Sequence, residues 1–256
     1  MPVLPHAEPF HADGGATGVL LLHGFTDSPS SMRPWAEHLA ADGFAVEAPR
    51  LPGHGTSWQE LNETRWPDWY AEASRGLDLL RDSCDEVFVA GLSMGACLAL
   101  RLAQERGDHV AGLILVNPVV TSTSKKLVAL PLAKRLVGSL KRTGDDVKKP
   151  GVQAHCYDRT PLKALGSMRA MWSVTREDLP KITAPTVLFR SVEDRLAEPV
   201  SAQIITQRLS SRDVTERVLD DSYHLATLDN DAPTIFTDSV EFIRKHSTIT
   251  GDDHAV

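Results

Sequence analysis

Short apolar runs rich in β-branched residues recur along the chain, and most are separated by stretches whose apolar residues return every three or four positions. The runs are TGVLLLH (17–23), FAVEAP (44–49), EVFVAG (86–91), GLILVN (112–117), APTVLFR (184–190) and VTERVL (214–219). A near-continuous apolar run such as residues 19–22 predicts a strand buried on both faces. Between the runs, SSMRPWAEHLAADG (30–43) reads as a helix stopped by Gly43, and WPDWYAEASRGLDLLRDS (66–83) as one opened by Pro67. Strands alternating with helices predict an α/β fold: a mostly parallel, doubly wound sheet with helices on both faces.

The alternation breaks at residues 119–181. There STSKKLVALPLAKRLVGSLKR and PLKALGSMRAMWSVTREDL read as helices joined by polar loops, with no strand between them. The pattern therefore divides the chain into a core, 1–118 and 182–256, and a helical cap insertion, 119–181. Leu127, Leu130, Leu136 and Leu140 fall on a helical period, which predicts one packed face across the carboxyl edge of the sheet, where open α/β folds bind ligands. The tail KHSTITGDDHAV (245–256) is polar and is expected to fray.

Composition narrows the function. A chain of 256 residues, 42% hydrophobic and 24% charged, fits one globular unit, and no apolar run approaches the roughly 18 residues of a membrane helix. The net charge of -7 disfavours nucleic acid, and the basic cluster at 134–149 contains its own aspartates, Asp145 and Asp146. MPVLPHAEPFHADGG lacks the basic then apolar order of a secretory signal, so a cytoplasmic location is expected. Cys84, Cys97 and Cys156 are odd in number and scattered, which fits neither a disulfide framework nor a zinc site.

The chemistry concentrates at Gly91, Leu92, Ser93, Met94 and Gly95, a G-x-S-x-G pentapeptide between a predicted strand and the helical run ACLALRLAQER. Strand, tight turn and helix are the context of a nucleophile elbow, where flanking glycines let the two backbones approach and the serine hydroxyl projects above the sheet. A serine needs a base to take its proton and a carboxylate to orient that base, in the order Ser, Asp or Glu, His in this kind of fold. Of the downstream histidines, His109 closes the elbow helix, His155 lies in the insertion, and His246 and His254 belong to the polar end. His224, in LDDSYHLATLD, follows the last strand by a short loop and is the candidate base. The run APTVLFRSVEDRLAEP ends in Glu193 and Asp194; Asp194 is the choice and Glu193 the close rival, with Asp220 and Asp221 assigned to loop shape. Two backbone N–H groups should receive the oxyanion, those of Met94 and of Phe25 in LLLHGFTDS, while His23 and His54 read as loop braces.

With these residues assembled, the chain resembles the α/β-hydrolase superfamily, and more closely the bacterial monoacylglycerol lipases and related small carboxylesterases. The matching segments are AEPF, GVLLLHGFTDSPSSMRPWAEHLAADGF, PRLPGHGT, VAGLSMG, YDRTP and DSYHLATLD. The resemblance implies a serine carboxylester hydrolase with Ser93, Asp194 and His224 as triad and Phe25 and Met94 as oxyanion donors. It implies no cofactor or metal, and it favours Asp194 over Glu193. Lipophilic short- to medium-chain esters, monoacylglycerols included, are the expected substrates; acyl transfer or carbon–carbon hydrolysis on the same triad, and a non-catalytic binding protein, are the alternatives. The expected partners are a small ester and, transiently through the cap, a lipid surface, with no nucleic acid and no stable membrane insertion, in a monomer or homodimer. Two positions depart from the relatives' pattern. Ala96 stands where a second glycine often follows the elbow, and Ala154 where a glutamate can hold glycerol hydroxyls, so a monoacylglycerol preference does not follow from the resemblance alone.

Overall fold

The computed structural model describes residues 1–142 and 146–249, with Lys126 described by its backbone alone. The polar tail from residue 250 on lies outside the described residues, as does His254. In chain order the first half contains β1 (Phe10–Ala12), β2 (Thr17–Leu22), α1 (Arg33–Ala41), β3 (Ala45–Ala48), α2 (Trp58–Glu63), α3 (Trp66–Arg81), β4 (Glu86–Leu92), α4 (Met94–Glu105) and β5 (Gly112–Val116). There follow α5 (Leu130–Leu136), β6 (Ser139–Lys141), β7 (Arg159–Pro161) and α6 (Leu162–Asp178), then β8 (Thr186–Ser191), α7 (Pro199–Arg208), β9 (Val214–Leu219) and α8 (Ala232–His246).

Seven strands form one sheet in the order β1-β3-β2-β4-β5-β8-β9, parallel except for β1. The six strands expected from the apolar runs are all present. The seventh, β1, is three residues long and pairs antiparallel at the edge, too short for its alternation to register as a pattern. Alternation along each central strand sends neighbours to opposite faces. Leu20, Leu22, Val89 and Leu115 pack under α3, α4 and α6, whereas Val19, Leu21, Phe88 and Ile114 pack with α1 and α8 residues such as Trp35 and Ile243. Both faces of the central strands β2, β4, β5 and β8 are thus covered, as the unbroken apolar runs require.

The stretch 119–181 differs from its sequence reading in two ways. A short antiparallel pair, β6 with β7, interrupts what reads as helices and polar loops. The leucine stripe does not form one packed face either: Leu130 is buried, but Leu136 and Leu140 are 77% and 55% exposed. Helix α5 has only seven residues and ends before Gly138, so Leu140 lies on a strand and the helical period no longer relates it to Leu130. Helix α6, by contrast, is anchored to the core. Met171, Trp172 and Thr175 are buried against α4, where Gln104 donates to the Thr175 carbonyl at 2.8 Å and Arg101 pairs with Asp178 at 2.8 Å. Among the described residues no helix is long and apolar enough to cross a membrane.

The tightest packing lies where α4 leaves β4. A Cβ on Gly91 would sit 2.4 Å from the Gly95 carbonyl carbon, and one on Gly95 would sit 1.9 Å from the Leu22 carbonyl oxygen. Real Cβ atoms do not tolerate backbone at that distance, so α4 would have to move off β2. Gly95→Ala is therefore expected to lower the unfolding free energy by about 3 kcal/mol, measured by urea denaturation.

Candidate active site

The strand-to-helix turn after β4 places Ser93 at φ 57°, ψ −112°, a left-handed conformation that costs a non-glycine residue about 1–3 kcal/mol. The surroundings hold it there: the Ser93 amide donates to the Val116 carbonyl of β5 at 2.9 Å, and Gly95 fits against Leu22. Its hydroxyl lies 2.8 Å from Nε2 of His224, which sits on the loop after β9. On the other side of the ring, Nδ1 lies 2.8 and 3.1 Å from the two oxygens of Asp194, on the loop after β8. The Asp194 and His224 side chains are both buried, and Asp194 Oδ1 also accepts the Leu196 and Ala197 amides at 2.7 Å each. With its proton on Nδ1, donated to Asp194, the imidazole presents the Nε2 lone pair to the serine. Glu193, the rival carboxylate, points away and pairs with Lys148 at 2.7 Å. Asp220 and Asp221 are exposed, the latter also on Lys148 at 2.9 Å.

Two residues that the sequence reading passed over hold these loops in place. Asn117, at the end of β5 with φ 44°, donates from Nδ2 to Ser191 Oγ at 2.9 Å and to the His224 carbonyl at 2.9 Å, and accepts the Ser191 amide at 2.8 Å. One buried amide thereby ties the loop bearing His224 to the strand that leads into Asp194. Asp229 is fully buried and accepts four backbone N–H groups, from Tyr223, Asn230, Lys148 and Lys149, at 2.7–2.9 Å, so the returning arm of the insertion is fastened to the His224 loop. Asparagine tolerates left-handed backbone, the one local signal that marked Asn117.

On the other side of Ser93, His23 Nδ1 donates to the Gly24 carbonyl at 3.0 Å while its Nε2 accepts the Leu51 amide at 3.2 Å. The Gly24 carbonyl and the Phe25 N–H share one peptide plane, so this bond fixes the direction of the Phe25 N–H. His54 donates from Nδ1 to the Pro52 carbonyl at 3.1 Å and packs its ring against His23, Phe25 and Trp69. Burial pushes His23 down to about 4 and His54 well below the usual histidine range, so both rings stay neutral. The Met94 amide, first in α4, lies where the helix dipole favours negative charge.

Ser93, His224, Gly24 and Phe25 border a cavity of about 250 Å3 whose wall also includes Val119, Leu127, Met168 and Trp172. Tyr157 in the insertion donates its amide to the Thr26 carbonyl at 2.8 Å and its hydroxyl to the Gly53 carbonyl at 2.8 Å, bracing the loop of Gly24, Phe25 and Thr26 from outside. Ala154 lies in an adjoining cleft and offers no polar side chain. Of the remaining histidines, His155 stacks on His6 and His246 lies 3.5 Å from Asp213, both away from Ser93. The cysteines are free, and Cys156 alone reaches the cavity.

The profile of the family described as serine aminopeptidase, S33 matches residues 16–231. The chain is 40% identical over 250 residues to the thermostable monoacylglycerol lipase of Bacillus sp. (strain H-257), covering 96% of this chain and 98% of that protein. It is 25% identical to a carboxylesterase of Bacillus subtilis (strain 168), over 93% of this chain and 96% of that protein. Among solved structures, one from work on LipS and LipT, two metagenome-derived lipolytic enzymes, superposes with a TM-score of 0.93 at 37% identity, covering 96% of this chain and all of that one. The seven-stranded, mostly parallel sheet is that of the α/β-hydrolase fold.

Two outcomes follow from the hydrogen bonds. Because the pKa of His23 is lowered on folding, its contribution to stability is fully present above about pH 6.5 and is lost as the pH falls towards 4, where the unfolded chain takes up the proton first. The loss from this residue amounts to about 3 kcal/mol at pH 4. Asp27, pushed up to about 6 by burial, acts in the opposite sense, so the effect is read by difference. Urea melts at pH 7 and pH 4.5 should show a smaller fall in stability for His23→Asn than for wild type. In Asn117→Ala the His224 loop loses its tie to Ser191, and ester turnover should drop about 100-fold in kcat with little change in KM, measured by steady-state kinetics.

Proposed function

Since the chain belongs to this serine-hydrolase family of α/β-hydrolase fold, we propose that it is a serine carboxylester hydrolase acting on lipophilic short- to medium-chain esters, monoacylglycerols among them. The observation that carries the reading is the buried series of Ser93 Oγ, the His224 ring and the Asp194 carboxylate, linked by contacts of 2.8 Å and opening on an apolar cavity. In this reading Ser93 attacks the ester carbonyl as His224 Nε2 takes its proton. Asp194 holds the ring in the required tautomer and stabilises the imidazolium, while the Phe25 and Met94 N–H groups receive the oxyanion. Collapse of the tetrahedral intermediate expels the alcohol, which takes the proton from His224. Water, deprotonated by the same ring, then attacks the acyl-serine, and the carboxylic acid leaves as the proton returns to Ser93.

Residues 119–181 serve as the cap over the core formed by 1–118 and 182–256. Their inner side supplies Met168 and Trp172 to the acyl wall. Their outer side exposes Val128, Leu132, Leu136 and Leu140 near the cations Lys125, Arg135 and Lys141, a surface suited to transient contact with lipid aggregates. A lipophilic acyl chain would reach the cavity from such a surface.

The test is turnover of p-nitrophenyl esters of rising chain length by wild type and Ser93→Ala, with labelling by a serine-directed fluorophosphonate. Wild type should turn over the esters and take the label. Ser93→Ala should do neither while unfolding at an unchanged or higher temperature, since it relieves no packing and removes no buried contact except that to His224; steady turnover by the variant would refute the mechanism.

A further inference from the structure

The cavity wall beside Ser93 is of two kinds. Val119, Met168 and Trp172 belong to the apolar cluster around α4 and α6 and suit an acyl chain. Asp27, Arg142 and Cys156, in contrast, form a polar patch. The patch adjoins the nucleophile: a Cβ built on Gly24 would lie 3.6 Å from Ser93 Cβ and 3.8 Å from Asp27 Oδ2, so about one side chain's width separates the serine from the carboxylate.

Asp27 is 2% exposed and lies on the cavity wall. Oδ2 accepts the Ser31 hydroxyl, a bond that braces the oxyanion loop. Oδ1 lies 3.8 Å from the Cys156 thiol, a weak donor. Burial raises the Asp27 carboxyl to about 6, with Ser31, the Ser28 amide, the Arg142 charge and the Gly24 amide holding it from going higher. At neutral pH the cavity wall therefore carries a largely ionised carboxylate. Its negative charge opposes the oxyanion that forms nearby, and that cost falls when a hydrogen-bond donor arrives with the substrate. The acyl chain has none to offer. The alcohol half of an ester does, if it bears a free hydroxyl.

We propose that Asp27, backed by Arg142, is the subsite for the alcohol half of the substrate and selects esters whose alcohol bears a second, free hydroxyl, such as glycerol, over esters of simple alkanols. The assignment rests on the serine-esterase reading and adds to it the chemical class of the leaving group. Arg142 is paired with Asp146 and lines the cavity beside Asp27, where its positive charge faces the same space.

The experiment compares kcat/KM for 1-octanoylglycerol and methyl octanoate, which share an acyl chain, in wild type, Asp27→Ala and Asp27→Asn. The ratio of the glycerol ester to the methyl ester should fall about tenfold in Asp27→Ala, mainly through KM, and recover in part in Asp27→Asn, which keeps an acceptor oxygen. A second reading is internal to each acyl-enzyme and so independent of how much protein is folded. After acylation by p-nitrophenyl octanoate, glycerol and 1-propanol at equal concentration compete for the acyl group. The acyl bond to Ser93 breaks, the bond to the acceptor oxygen forms, and His224 passes the acceptor's proton to Ser93. Wild type should favour glycerol and Asp27→Ala should lose that preference. If both esters decline in parallel and the partition is unmoved, Asp27 only braces the loop and the proposal is overturned. If wild type forms no acyl-enzyme at all, the esterase reading falls and this assignment with it.

Discussion

The backbone contact between Gly95 and the carbonyl of Leu22 governs the chemistry of this molecule. It lets α4 begin directly against the end of β2, which allows the chain to reverse at Ser93 in a left-handed turn. The same contact brings the segment that follows Leu22, with His23, Gly24 and Phe25, up to the serine. Both N–H groups proposed for the oxyanion thus owe their proximity to one missing Cβ. A side chain there would separate them before it disturbed any reacting group, because interiors this dense transmit displacement rather than absorb it.

The parallel sheet does the rest of the assembly. Ser93, Asn117, Asp194 and His224 each follow the carboxyl end of a strand, β4, β5, β8 and β9, and these strands are neighbours. Residues separated by 30 to 131 positions in sequence meet because strand order places the loops on one edge. The loops are then fixed by buried polar groups with satisfied partners: Asn117 joins two of them, and Asp229 joins the His224 loop to the insertion. Such networks specify a single arrangement when complete and are costly when broken. The strain at Ser93 persists under their combined restraint.

The insertion combines two kinds of structure. Its second helix, α6, packs its buried side firmly on α4, whereas α5 is a short amphipathic turn that leaves much of its apolar side in solvent. Between them the chain passes the loop of Thr26 and Asp27, where Tyr157 and Cys156 touch it. The cavity is accordingly apolar where α6 and residues near Leu127 face it and polar where Asp27 and Arg142 do. An asymmetric site of this kind suits an asymmetric ester, with a lipophilic acid and a hydrophilic alcohol.

Local pattern was enough to read the six main strands and the tight strand-to-helix turn at Ser93, since strand alternation, glycine spacing and flanking helix signals are properties of adjacent residues. It ran short where the deciding contact is remote. Glu193 and Asp194 are equivalent in composition, and only the direction in which the chain leaves β8 turns one towards His224 and the other towards Lys148. Leu136 and Leu140 share a helical period on paper, but helix α5 stops before Gly138 and the period no longer relates them. Asn117 reads as the end of an apolar run until its side chain is seen to bridge Ser191 and His224. Asp27 reads as a loop residue until folding buries it beside Ser93. Backbone periodicity is written in the chain at short range, whereas the environment of a charged or polar side chain is set by whatever distant segment the fold lays against it.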